Sequence, residues 1–258
     1  MFVKEHRITE KLHPCVPNNM RLPPSTNSLM QHLQQTAPEL IPACERVALK
    51  PGPWPGPDGM GDDCLYFPET GLLALSLPAS PGGPWASRST RMAMFGCHSV
   101  WSPRQAQASD FLAEVLIPGH AMRVSDAVVR AAHVSLAKWW LQVAASNQQL
   151  MSQMARMALC AQKHSPTQSL ASCLLMAQHN CCASPLQIPM AALRAWLDWS
   201  PDAWQSAWHA LESQGAVALA GQGTSATIQI QEAERLSGLA CACHQMVRHH
   251  DTGPGSRG

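Results

Sequence analysis

The stretch from Asp126 to Gln162 contains neither glycine nor proline, in a chain of 258 residues that carries 16 Gly and 21 Pro. Ala, Leu, Met and Gln dominate it, and these residues lose little on entering a helix. The spacing predicts one long helix. Trp140, Val143, Asn147, Leu150, Met154, Met157 and Ala161 fall at alternating intervals of three and four, the period of a coiled-coil seam. Asn147 is the polar residue within that stripe, of the type that fixes register between two identical helices. A stripe of this kind can also pack on its own domain.

Around this helix the chain divides by texture. Residues 1–24 are polar and proline-broken and read as a loose arm. Ser25 to Leu40 reads as a short helix with Ser25 or Thr26 as its cap. Pro51 to Gly59 alternates Pro and Gly, which excludes helix and central strand. Cys64–Leu77 then reads as two short strands around a Pro-x-x-Gly turn. Further strands are expected at Arg91–Phe95 and Phe111–Leu116, with turns at Gly82-Gly83 and Pro118-Gly119. Short strands at this spacing point to a sandwich or jelly roll over residues 25–125.

Beyond the long helix, assigned to residues 126–163, Ser165-Pro166 starts a new one, with Ser165 as N-cap. The module from 164 to 245 continues with a helix from Pro189 to Leu197, the turn Asp198–Ser200, and a second helix from Pro201 to Ser213. Val217–Ala220 and Ala226–Ile230 follow as a two-stranded wing. Helix, short turn, helix and ribbon make a winged helix-turn-helix, whose second helix can enter a major groove. Residues 246–258 read as a disordered tail. The fold class is α+β.

In order and spacing, several pieces together resemble the bacterial Crp–Fnr (catabolite activator, fumarate–nitrate regulator) family. They are Tyr66-Phe67-Pro68-Glu69-Thr70-Gly71-Leu72, His164-Ser165-Pro166-Thr167-Gln168-Ser169-Leu170-Ala171, Leu174 to His179, and Leu239-Ala240-Cys241-Ala242-Cys243-His244. The resemblance spans roughly residues 25–244. It implies a cyclic-nucleotide-binding-like jelly roll, dimerisation through the long helix, binding to promoter DNA, and RNA polymerase as a further partner. Under that reading Trp140, Val143, Asn147, Leu150, Met154 and Met157 form the dimer interface.

The departures from the family are equally informative. Members that bind cyclic nucleotides carry a Gly-Glu pair and an Arg-Ser or Arg-Thr pair. Here Gly96 is followed by Cys97 and His98, and Arg104 by Gln105. The cation and donors that converge on a phosphate are missing, so no cyclic nucleotide is expected, and the effector stays unassigned. The second helix of the motif turns Trp204, Ala207, Trp208 and Leu211 inward by helical geometry. Asp202, Gln205, Ser206, His209 and Ser213 then face out. Gln205, Ser206 and His209 are the expected base and phosphate contacts, with Arg194 beside them. Between Leu186 and Ile230, Arg194 is the sole cation against Asp198, Asp202 and Glu212. Lys and Arg supply most non-specific affinity for DNA, so binding is expected to be weak. The competing expectation is a degenerate copy of the fold that acts through protein partners.

The formal net charge of +1 gives no global pull toward nucleic acid. No apolar run approaches the length of a membrane span, and no leader-like stretch opens the chain, so a cytoplasmic location is expected. No paired carboxylates, catalytic triad or phosphate loop marks an enzyme. The ten cysteines include no C-x-x-C pair, and the expectation is reduced thiols used as small apolar side chains, with no metal and no cofactor; the competing expectation is a thiol-based redox sensor.

Overall fold

The computed structural model describes residues 24–54, 63–77, 90–103, 111–132, 136–181 and 185–244. The N-terminal arm, Gly82-Gly83, Arg104-Gln105 and the C-terminal tail of the sequence reading lie outside them.

Helix α1 (Ser28–Thr36) is capped by Asn27, whose Oδ1 accepts from the amides of Leu29 and Met30. Asn27, rather than Ser25 or Thr26, takes this place because it is wholly buried. Its Nδ2 donates to the carbonyls of Pro68 and Ser99, at 2.9 Å each. One side chain therefore caps the helix and fixes it to the sheet. A 3-10 turn (Pro38–Ala43) replaces the last part of the expected helix, with Pro42 inside it.

Five strands follow: β1 (Glu45–Leu49), β2 (Gly52–Trp54), β3 (Cys64–Leu77), β4 (Thr90–Phe95) and β5 (Leu112–Ser125). Their order is β1-β5-β3-β4, antiparallel throughout, and β2 also pairs with β5. Two expected breaks are absent. Cys64–Leu77 is one strand, not two, and β5 runs through Pro118-Gly119, which the sequence reading took for a turn. Each strand carries its irregularity opposite the other's. The register slips between Pro68 and Leu73 absorb the proline as bulges. At the same place Gly71 has φ +95°, and a Cβ on Gly119 would lie 2.2 Å from the Thr70 carbonyl oxygen. A bent ladder, not a turn, meets these constraints.

Both faces of the sheet are covered. Leu65, Phe67, Met122 and Val124 pack with α1 and with Trp139, while Tyr66, Leu73, Leu75, Phe95 and Val115 form a second core with Trp101. A third core joins Leu72, Ala74 and Met94 of the sheet to the C-terminal module.

The expected single helix from 126 is divided into α2 (Asp126–Ala131) and α3 (Ala137–Lys163). The C-terminal module comprises α4 (Pro166–Asn180), β6 (Ile188–Pro189), α5 (Met190–Leu197), α6 (Pro201–Ser213), β7 (Val217–Ala220), β8 (Thr227–Ile230) and α7 (Ala233–Leu239), with the three strands in the order β6-β8-β7. Ser165 closes a capping box with Gln168 at the start of α4, and Pro166 occupies its first turn. No described helix is long and apolar enough to cross a membrane.

Candidate nucleic-acid interface and the hinge beside it

Asp198 adopts a left-handed conformation (φ 47°) and ends α5, and Ser200 caps α6 by accepting from the Ala203 amide. These two residues set the turn between the helices. Trp204, Ala207 and Leu211 are buried, and Trp208 stacks on Trp204 with ring centroids 6.4 Å apart. Asp202, Gln205, Ser206, His209 and Ser213 are exposed on the opposite side, and Arg194 is exposed on α5. The expected outward set is therefore accessible, and it carries no other cation.

The inner side of the motif is held by residues that sequence patterns did not single out. Arg91 of β4 donates to the Leu197 carbonyl and lies over the Trp199 ring, 5.6 Å from its centroid. Burial lowers the pKa of this guanidinium, while Cys173 and Asp198 pull it the other way. Trp196 Nε1 donates to Ser76 Oγ of β3 at 3.1 Å. The helix-turn-helix is thus latched to the sheet. A cavity of about 310 Å³ lies beside the latch, lined by Arg91, Met157, Cys160, His164, Cys173 and Trp199 among others.

Gly96, where the family's Gly-Glu pair would begin, has a packing role. A Cβ there would fall 2.1 Å from the Asn180 carbonyl oxygen, and the Cys97 amide donates to that same oxygen at 3.0 Å. The end of α4 therefore sits against this loop.

On α3 the expected seam faces inward. Val143 is buried in the core with Trp139, and Trp140 packs on that core. Leu150 and Met154 pack on the core around Trp101, and Met157 on the core of the C-terminal module. Asn147 is exposed. One residue further round, Leu141, Ala144, Gln148, Met151, Ala155, Ala158 and Gln162 repeat the same alternation, and all are exposed. Leu141 and Met151 are 70% and 68% accessible.

The cysteines also depart from expectation. Seven of those described are free thiols, but Cys97 is disulfide-bonded. Cys160, Cys241 and Cys243 are buried together, with His164 beside them, and the four ligand-type atoms lie within 4.8 Å of one another. The C-x-x-C criterion missed this group because its halves lie far apart in the chain, one at the end of α3 and the other beyond α7. Its sequence signal was the helical spacing of Cys160 and His164, set against Cys241-x-Cys243. Burial alone would raise the Cys241 thiol, but hydrogen bonds with Ser172 and Cys160 outweigh it and leave it below the usual range. Burial raises both Cys160 and Cys243.

No protein-family model matches the chain, and no curated protein does. Solved structures do. FixK2 from Bradyrhizobium japonicum is similar at 15% identity and TM-score 0.55, over 77% of this chain and 98% of that one. A CooA variant from Carboxydothermus hydrogenoformans is similar at 9% identity and TM-score 0.54, over 83% and 95%. A protein from Eubacterium rectale, described as a transcriptional regulator of the Crp/Fnr family, is similar at 10% identity and TM-score 0.50, over 83% and 94%. The chain has the Crp/Fnr-type fold: a sheet domain like that of these structures, a long helix and a winged helical module.

Proposed function

We propose that this chain is a sequence-specific DNA-binding transcriptional regulator that works as a homodimer, with α6 as the recognition helix. The observation that carries this reading is the exposed polar face of α6, set in a capped helix-turn-helix within a Crp/Fnr-type fold. Gln205 is the candidate for bidentate contact to adenine, and Ser206 and His209 for contacts to base or phosphate. Arg194 is the expected phosphate contact. With Arg194 the sole Lys or Arg between Leu186 and Ile230, the phosphate term stays small, so dimer avidity and base contacts must provide most of the affinity.

The dimer is expected to form through α3. Leu141, Ala144, Met151, Ala155 and Ala158 offer an apolar stripe of coiled-coil period that the chain's own cores leave uncovered. Of the seam read from the sequence, Val143 is buried, Trp140, Leu150, Met154 and Met157 pack partly on those cores and Asn147 is exposed, and the stripe one residue along the helix is the contact proposed here. A second copy of the chain is its occupant, as two-fold symmetry brings identical stripes together.

Two measurements on the full-length chain test the reading. Sequencing of DNA recovered with the tagged protein should return a shared, two-fold symmetric motif upstream of genes. Leu141→Lys with Met151→Lys should give a monomer by light scattering and abolish recovery of the motif. Recovery of no motif at low salt, from protein that is dimeric, would transfer the role of α6 to a protein partner.

A further inference from the structure

We propose that Cys160, His164, Cys241 and Cys243 form a tetrahedral zinc site that joins the end of the long helix to the segment after the winged module. Cys160 lies in the last turn of α3, and His164 is the residue that ends it, its amide donating to the Cys160 carbonyl. A separation of four places both side chains on one side of the helix end. Cys241 and Cys243 flank Ala242 just beyond α7. Both cysteines are buried and Ala242 between them is exposed, in a turn that brings the two sulfurs to the same side.

The geometry is that of a closed structural site. Zinc bonds of about 2.3 Å to sulfur and about 2.0–2.1 Å to nitrogen put tetrahedral ligand atoms roughly 3.4–3.8 Å apart. Cys160 Sγ and Cys241 Sγ are 3.3 Å apart, Cys243 Sγ and His164 Nδ1 are 3.9 Å apart, and no pair in the group exceeds 4.8 Å. Shifts of no more than about an ångström in any pair bring the four onto one ion. Three thiolates and an imidazole are a soft, four-membered set, which selects zinc over magnesium, calcium or manganese.

The surroundings fit that role. Ser172 of α4 accepts from the Cys241 amide at 3.1 Å, and its hydroxyl lies 3.0 Å from Cys241 Sγ. It therefore fixes both the backbone and the sulfur of one ligand, as supporting hydrogen bonds do in metal sites. Binding displaces the three thiol protons to solvent and leaves zinc with three thiolates at a net charge of −1. Arg156, one turn before Cys160 and within electrostatic range of Cys243, offsets that charge.

The ion would restrain a specific movement. Three of its attachments to the fold, α3, α4 through Ser172, and the segment after α7, meet at the hinge between the sheet domain and the winged module. Loss of zinc therefore frees the segment after α7 from the end of α3, while the latch at Arg91 and Trp196 still holds the module to the sheet.

The test uses the full-length chain, reduced and stripped of metal with a chelator, then titrated with zinc or cobalt(II). One equivalent should bind per chain, and cobalt should give thiolate-to-metal charge-transfer bands together with the intense visible bands of tetrahedral coordination. Zinc should raise Tm by about 5 °C or more, since it binds the folded state. His164→Asn and Cys243→Ser should each weaken binding by more than about tenfold, a loss reached even when only a supporting partner of a ligand is removed. Cys173→Ser, a buried thiol outside the group, should leave binding unchanged, and His164→Cys should restore it with stronger charge-transfer absorption. Absence of charge-transfer on the unsubstituted chain overturns the site without recourse to any variant. So does a stoichiometry that His164→Asn leaves intact, or protein isolated from cells with copper or iron in place of zinc.

Discussion

The winged module presents two faces of opposite character. On its inner side it turns Trp196, Leu197, Trp204, Ala207 and Leu211, all buried, with Trp196 hydrogen-bonded to Ser76 and Leu197, the last residue of α5, bonded to Arg91. Toward solvent it turns mostly polar side chains, and Arg194 is the sole Lys or Arg there between Leu186 and Ile230. The inner face is fixed by packing, which tolerates little change in volume. The outer face carries no packing obligation, so its residues are free to be set by what they touch. Its shortage of cations is therefore a property of recognition rather than of folding.

The largest expected effect comes from breaking the inner face. Trp204→Ala removes a buried indole and leaves a cavity, at a cost of about 3–5 kcal/mol. Ser206→Ala, two residues away on the outer face, should stay within about 0.5 kcal/mol of the unsubstituted chain. Chemical denaturation of both variants reads the difference directly. Equal losses would mean that the two faces are not distinct.

A smaller effect is expected at the latch. Arg91→Met keeps the length of the side chain but removes the bond to the Leu197 carbonyl and the cation over Trp199. A hydrogen bond to a charged group contributes about 1.5–3 kcal/mol, and an exposed cation–π contact about 0.5–1 kcal/mol. Arg91 is half-buried, so the lower end of these ranges applies. Hydrogen exchange should rise first in the Asp198–Ser200 turn, ahead of the strands. Unchanged protection there would show that the apolar contacts alone hold the module.

The inner face was legible in the sequence and the latch was not, for one physical reason. Trp204, Ala207 and Leu211 repeat with the period of a helix, and Ser200-Pro201-Asp202 carries the chemistry of a helix start, so local rules suffice. Arg91 and Ser76 reach partners more than a hundred residues away, and no local pattern encodes such a pairing. The sheet shows the same limit. Pro68 and Gly71 look like a turn in isolation and become bulges only because β5 runs alongside them. On α3 the period was legible, but two stripes share it. Adjacent residues differ by about 100° around the helix, and Trp140 and Leu141 each begin a stripe of equal spacing. Which stripe is buried depends on where the sheet lies. The cysteine group is the plainest case, as Cys160 and Cys241 become neighbours only when α3 and the end of the chain meet.

The smallest expected effect, and the sharpest, is at Asp202. This carboxylate sits in the first turn of α6, where the helix dipole favours negative charge by about 0.3–1 kcal/mol. On the outer face it would also meet the phosphates of a docked duplex, where it repels. The two roles have opposite signs, so Asp202→Arg should lower stability slightly while strengthening DNA binding. Each added phosphate contact steepens the fall of log K with log salt by about 0.9. A symmetric dimer gains two such contacts, so the slope should steepen by roughly 1.8. Gln205→Ala serves as the counterpart, because losing a bidentate base contact costs about 1–3 kcal/mol of discrimination without changing the salt slope. Fluorescence anisotropy on a recovered site, measured from low to moderate salt, separates the two variants. If Asp202→Arg lowers stability yet leaves both affinity and slope unchanged, α6 does not face the phosphates, and the polar outer face serves another partner.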